Sequence, residues 1–167
     1  TKFIIATITA LLFASCNFNM NSIEGSGNVT TEKRIVQGDF KNVSVSNAID
    51  VVIEQSDSTE IIVEADDNLQ KEITTEVKNG TLIIKCKYSS FNDVTKRVTV
   101  KMPIVEKLEA STASSINSKK VILGEKIDLE SSSASTINIS TESDSVLLSA
   151  SSGSTINVEG KALKLKT

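Results

Sequence analysis

The sequence predicts an all-β protein in which short strands stack as the rungs of a parallel solenoid, after an N-terminal strand and hairpin region. Nearly every segment after Thr31 alternates apolar and polar residues with a period of two, which is typical of strands. A ten-residue pattern also recurs three times in the C-terminal half. We find no amphipathic helix, and residues 66–73 could hold one helical turn at most.

The N-terminus, residues 1–16, is a candidate signal peptide with a lipobox. An apolar or near-apolar run, residues 3–14, follows Lys2 and leads through a small residue to Cys16. The run is shorter than the roughly 20 residues that a membrane-spanning helix needs. LFASC resembles a bacterial lipobox, in which the signal is cut before a cysteine that is then lipidated, although Phe13 stands where Leu is usual. A plain signal peptide or an N-terminal anchor helix is the alternative.

Residues 17–30 are predicted to be a tether from the membrane to the domain. This segment is polar, contains several Asn and Ser residues and shows no periodicity, as expected of a flexible linker. The folded domain is then expected to span residues 31–167, in rungs of about 20 residues.

The strand region before the repeat contains a predicted hairpin. Asn79-Gly80 is the pair that best tolerates positive φ at both corners of a type I′ turn. A two-residue loop there opposes Val77 to Leu82, Thr75 to Ile84 and Ile73 to Cys86. If Cys16 carries lipid, Cys86 has no disulfide partner, because these are the only two cysteines. Its place in the alternation predicts a small buried residue and not a nucleophile.

The ten-residue repeat begins with a leucine and ends with Ile-Asn. Equivalent residues are 21 and then 19 positions apart: Leu108, Leu129 and Leu148; Ile116, Ile137 and Ile156; Asn117, Asn138 and Asn157. The leucines and isoleucines are expected to point inward and stack, and the asparagines to form a structural amide ladder along the axis. Ala113, Ala134 and Gly153 are expected at bends where a larger side chain would crowd its neighbours.

The succession of these blocks resembles a known family. GSGNVTTEKRIVQGDFKNVSVSNAIDVVIEQ, IIVEADDNL, KNGTLIIKCK, VTVKMP and the SASSGSTIN-type rungs are similar to the family called putative auto-transporter adhesin, head GIN domain, of bacterial envelope proteins. The likeness runs from Gly25 to the end. It implies a right-handed β-helix-like fold and an envelope location, and it transfers no binding residues. Since LKLKT stops as Leu165 opens a fourth copy, the domain is expected to continue beyond Thr167.

The chemistry of the sequence argues against an enzyme. It contains no histidine, so it lacks a Ser-His-Asp triad, an imidazole base and the commonest zinc ligand. No catalytic, cofactor or metal residue is predicted; Asp66-Asp67-Asn68 could contribute to a calcium site but is expected to be a solvated turn. A net charge of -3 and a pI near 5.1 give no support to nucleic-acid binding.

These observations predict a non-enzymatic, lipid-anchored protein of the cell envelope, on the periplasmic or surface face of the outer membrane. Its role is expected to be adhesin-like, binding or structural, with a glycan or an envelope protein as partner. The alternatives are a carbohydrate-active β-helix enzyme and a module that stacks end to end. Ser58 and Ser145 lie in Asp-Ser-Thr and Asp-Ser-Val, which resemble the short O-glycosylation acceptor of some bacterial envelopes.

Overall fold

The computed structural model describes residues 22–88 and 90–167. The candidate signal peptide, Cys16 and residues 17–21 lie outside the described residues. Within the described ranges every regular element is a β-strand, so the all-β prediction is confirmed. These ranges accordingly contain no helix long and apolar enough to cross a membrane.

Fourteen strands follow one another along the described chain. Nine precede the repeat: β1 Ser22–Glu24, β2 Val29–Arg34, β3 Asn42–Val45, β4 Asp50–Gln55, β5 Glu60–Asp66, β6 Ile73–Lys78, β7 Thr81–Cys86, β8 Ser90–Asn92 and β9 Lys96–Met102. Five contain it: β10 Lys107–Ala110, β11 Ser115–Ser118, β12 Ile122–Ser131, β13 Thr136–Ala150 and β14 Thr155–Lys166. β1 pairs with β8, and the other twelve strands form one sheet in the order β2-β5-β9-β4-β11-β13-β12-β10-β3-β7-β6, with β14 paired to β13.

The repeats lie on one another in parallel register. Leu129 is opposite Leu108 on one side and Leu148 on the other, and Ile137 is opposite Ile116. Leu108, Leu129, Ile116 and Ile137 are all fully buried in one continuous core. The long strand β13 contributes to both the stacked isoleucines and the stacked leucines, because its start pairs with β11 and its end pairs with β12. The inward stacking of leucines and isoleucines is therefore confirmed for the first two copies, and Leu148 and Ile156 of the third copy are partly buried against the same core.

A further copy of the pattern, VSVSNAIDVV at residues 43–52, lies next to the first repeat. Val43 pairs with Leu108 and Val51 with Ile116, in the same parallel register. β7 and β9 pair in parallel with this copy in turn. The stack therefore has five layers, built from β7 and β9, β3 and β4, β10 and β11, β12 and β13, and β13 and β14.

One end of the stack, which we call the base, is closed by antiparallel strands. β5 and β2 add to β9, and β6 adds to β7. The hairpin turn has positive φ at Asn79 and Gly80, and its register is the predicted one down to Ile73 opposite Cys86. Cys86 is buried and free, as the alternation indicates. The opposite end, which we call the distal end, is β14.

The bends of the repeat are where predicted, but the predicted crowding is wrong. Ala113, Ala134 and Gly153 are exposed, and a Cβ added to Gly153 would meet nothing within 4 Å. The constraint lies in the backbone, because φ is positive at both central residues of each bend, for example 53° at Ser133 and 61° at Ala134. Two successive positive φ angles are the signature of a type I′ turn, which favours small residues and glycine.

Candidate binding face

The serines that close the bends join each layer to the layer before it. Ser135 Oγ accepts from the backbone N–H of Ser132 at 3.1 Å and donates to the carbonyl of Ala110 at 2.7 Å. Ser154 Oγ repeats this arrangement, donating to the carbonyl of Ser131 at 2.6 Å. The serine-rich composition is therefore a hydrogen-bonding device of the scaffold, and not only a matter of size.

The asparagines that end the repeat form an amide ladder. Asn138 Nδ2 donates to Asn117 Oδ1 at 2.9 Å, and Asn157 Nδ2 donates to Asn138 Oδ1 at 2.8 Å. The ladder starts at Asn117 because the layer below it has Val52 at the equivalent position. Each amide is thus held in one orientation by its neighbours along the axis.

A row of hydroxyl groups runs beside this ladder on the same outer surface. Two residues before each asparagine stand Ser115, Thr136 and Thr155, which pair in register. Together the two rows make an uncharged surface, which we call the ladder face; its members are Ser115, Thr136, Thr155, Asn117, Asn138 and Asn157. An open groove of about 760 Å³ runs beside the amide row and is also lined by Ser118, Ser140 and Glu159.

Nearer the base the same wall carries paired charges. Glu60 lies between Lys101, at 2.8 Å, and Lys33. Their hydrogen bonds, that of Lys101 most strongly, lower the pKa of Glu60 to about 2. Lys119 and Lys120 likewise lower the pKa of Glu54. On this side the ladder face is therefore bordered by compensated ion pairs and by the carboxylate of Asp50, which accepts from the Ser115 hydroxyl at 2.6 Å.

Lys96 is a buried ammonium group that the sequence analysis missed. It is 6% exposed, its Nζ donates to the backbone carbonyl of Asn47 at 3.1 Å, and it lies over the ring of Phe91. Burial lowers the pKa of Lys96 to about 8, against the opposing effects of Cys86 and Asp50. The sequence signal for its burial was its position, because Lys96 lies on the same face of β9 as the buried Val98, Val100 and Met102.

Part of the predicted tether is bound to the domain. The buried carboxylate of Asp66 accepts from the backbone N–H of Gly27 at 2.8 Å and of Thr95 at 2.7 Å. Asp67 accepts from the Ser26 hydroxyl at 2.6 Å and from the Asn28 amide at 2.9 Å. We call residues 25–28 and 66–68 the clasp.

The clasp corrects two expectations from the sequence. The ordered body begins before residue 31, because β1 and the start of β2 lie within residues 17–30. Asp66 is not in a solvated turn, since its side chain is buried and bound to backbone N–H groups. Within residues 22–88 and 90–167, no group of three or more His, Cys, Asp and Glu side chains could hold a metal ion.

The two candidate glycosylation sites differ in accessibility. Ser58 is exposed in the loop between β4 and β5. Ser145 is half-buried in β13, paired with Lys126 on one side and Lys164 on the other. The structure therefore presents only Ser58 on an open loop.

Several solved structures share this fold, including the following three. A putative adhesin from Bacteroides fragilis matches with a TM-score of 0.77 and 17% identity, over 84% of this chain and 66% of that one. A putative lipid binding protein from Parabacteroides distasonis matches at 0.74 and 18%, over 85% and 63%. A putative adhesin from Parabacteroides merdae matches at 0.66 and 20%, over 84% and 69%. This chain thus spans less than two thirds of the length of the first two.

Family membership follows from the sequence match. No curated protein matches the chain. Residues 39–167, however, match the family described as putative auto-transporter adhesin, head GIN domain. This range contains all five layers completely and every buried residue of the core. Because the match covers more than half of the sequence, the chain belongs to the putative auto-transporter adhesin, head GIN domain family.

Proposed function

We propose that this protein is a non-enzymatic, adhesin-like component of the bacterial cell envelope that binds its partner through the ladder face. Membership of a family of putative adhesins supports the adhesin-like role and the envelope location. The observation that carries the choice of surface is the amide ladder of Asn117, Asn138 and Asn157.

The ladder leaves binding capacity unused. A side-chain amide has two N–H donors and two acceptor positions. Asn138 uses one donor and one acceptor position within the ladder, and the others remain available on the outer surface. Its orientation is already fixed, so a ligand would not have to immobilise the side chain, which is a usual cost of binding. A polar, uncharged partner, such as a glycan or the surface of an envelope protein, fits this chemistry.

We further propose that the protein is anchored by lipid at Cys16. A short apolar run leading directly to a cysteine supports this anchor. The protein would then face either the periplasm or the outside from the outer membrane. Anchoring would hold a binding face close to the cell, which is what an adhesin-like role requires.

The stacked layers are proposed to form a right-handed parallel β-solenoid. The support is the parallel register of the three repeat copies, whose equivalent residues are 21 and then 19 positions apart along the chain. Parallel β crossovers are right-handed in nearly all proteins. Such a scaffold would space the rungs of the ladder face at about 4.8 Å.

A binding screen with matched variants tests the role of the ladder face. The exported chain from residue 17 is screened against glycans and envelope proteins, and hits are compared with Thr136→Lys and Thr155→Lys. Each substitution places a charge on the ladder face without removing a ladder amide. We expect weaker binding of the variants and unchanged binding of the control Glu130→Lys, which lies on β12. Equal binding by all four proteins would show that the ligand uses another surface.

A further inference from the structure

The base carries an apolar surface that the core does not cover. Ile35, in the loop between β2 and β3, is 96% exposed, the largest exposure of any large hydrophobic residue among the described ranges. The loop continues past the β6–β7 hairpin, where Gly38 approaches Val77. Ile35 borders a groove of about 600 Å³ whose other apolar members include Val36, Pro103 and Ile104. We call Ile35, Val36, Pro103 and Ile104 the basal surface.

The chain enters the domain at the base. Ser22–Glu24 pairs with Ser90–Asn92, and the clasp then binds residues 25–28 beside the end of β5 and the start of β9. Along one wall the strand order is β2, β5, β9, β4, β11, β13 and β14. Counted across the strands at about 4.8 Å each, the clasp lies within about 10 Å of β2, the strand at the basal edge, and about 20 Å from β14. Along β2 the basal surface begins at the opposite end from the clasp, about 20 Å beyond Val29.

The segment between the proposed anchor and the domain is short. Only residues 17–21 separate Cys16 from Ser22, which is the first residue of β1. Six Cα steps of a fully extended chain span about 20 Å. A lipid on Cys16 would therefore keep the base close to the lipid surface.

The cations around the basal surface are already neutralised. Arg34 pairs with Glu32 at 2.9 Å, and Lys41 pairs with Glu106 at 2.7 Å. Lys33 on β2 pairs with Glu60. Attraction to anionic headgroups is therefore weak, and contact with a lipid surface would depend on apolar side chains.

We propose that the basal surface docks on the lipid bilayer that holds the N-terminal anchor, with Ile35 inserted into the interface. This inference rests on the proposed lipidation of Cys16. Docking holds β14 and the upper part of the ladder face away from the membrane, where a partner can reach them. It requires no anionic lipid and persists in high salt.

The absence of tryptophan from the sequence provides a direct test. The lipidated full chain is prepared as Ile35→Trp and, as a matched control, as Leu163→Trp, since Leu163 is 88% exposed at the distal end. Both are reconstituted in phosphatidylcholine vesicles with brominated acyl chains. We expect quenching and a blue shift of the fluorescence of Ile35→Trp, in low and high salt, and neither change for Leu163→Trp. Equal quenching of the two variants, or loss of quenching in high salt, would overturn the proposal.

Vesicle flotation separates this inference from the anchor on which it rests. Protein that fails to float with the vesicles contradicts the lipid anchor, and the docking with it. Protein that floats while Ile35→Trp remains unquenched contradicts the docking alone and leaves the anchor and the role of the ladder face intact.

Discussion

Asn138 donates its side-chain amide to Asn117, 21 residues earlier in the chain, at 2.9 Å. The same bond recurs between Asn157 and Asn138, 19 residues apart. The ladder is unbroken although the two spacings differ by two residues. The extra two residues lie in the connection between Asn117 and Leu129, outside the paired ten-residue copies. The repeat therefore conserves contacts along the axis while the length of each turn varies.

Leu129→Ala should destabilise the fold by about 2 to 5 kcal/mol, through lost burial and a residual cavity. Leu129 is fully buried between Leu108 and Leu148. The control Glu130→Ala removes only a surface ion pair to Lys107 and should cost no more than about 1 kcal/mol. Chemical denaturation measures both, and equal midpoints would contradict the stacked core.

Ala134→Gly should stabilise the protein by about 0.5 to 1 kcal/mol, because Ala134 has a φ of 61° that glycine adopts without strain. Ala134→Val should destabilise it by more than about 1 kcal/mol, since a β-branched residue tolerates positive φ poorly. Thermal unfolding of the two variants checks the order. A lower melting temperature for Ala134→Gly would show that the bend is not limited by its backbone.

Local chemistry made much of this fold predictable. The hairpin register follows from Asn79-Gly80, and the inward rows follow from the spacing of leucine and isoleucine. The copy at residues 43–52 was missed because Val43 replaces leucine and Ile49 stands where the repeats have the bend-closing serine. The clasp joins Gly27 to Asp66, 39 residues away, and no periodicity marks such a contact.

Cys16→Ser should abolish both lipidation and the cut before residue 16, if Cys16 is the mature, lipidated N-terminus. The variant should then keep the apolar run of residues 3–14 and carry no acyl chains. Intact mass of the native protein and of the variant measures both changes. A variant that loses residues 1–15 and keeps the mass of the native protein would disprove lipid at Cys16.

O-glycosylation, if this envelope supplies it, should be confined to Ser58. Ser58 is exposed in a loop, whereas Ser145 is half-buried inside β13 and paired on both sides. Intact mass of the native exported protein should exceed lipid plus polypeptide, and Ser58→Ala should remove the excess while Ser145→Ala should not. An intact mass of the native protein equal to that of the lipid plus the polypeptide would contradict the prediction.

The protein should become more stable as the pH rises from about 8 to about 10, because of Lys96. Burial lowers the pKa of Lys96 to about 8, so in this range the folded protein releases the proton that an unfolded lysine, with a pKa near 10.4, still holds. Unfolding then takes up a proton, and stability rises with pH by on the order of 1 to 3 kcal/mol. Below about pH 8 both states are protonated and this contribution is constant. Urea denaturation across the range measures the slope, and Lys96→Met should flatten it. An equal slope in Lys96→Met would show that Lys96 is not the group responsible.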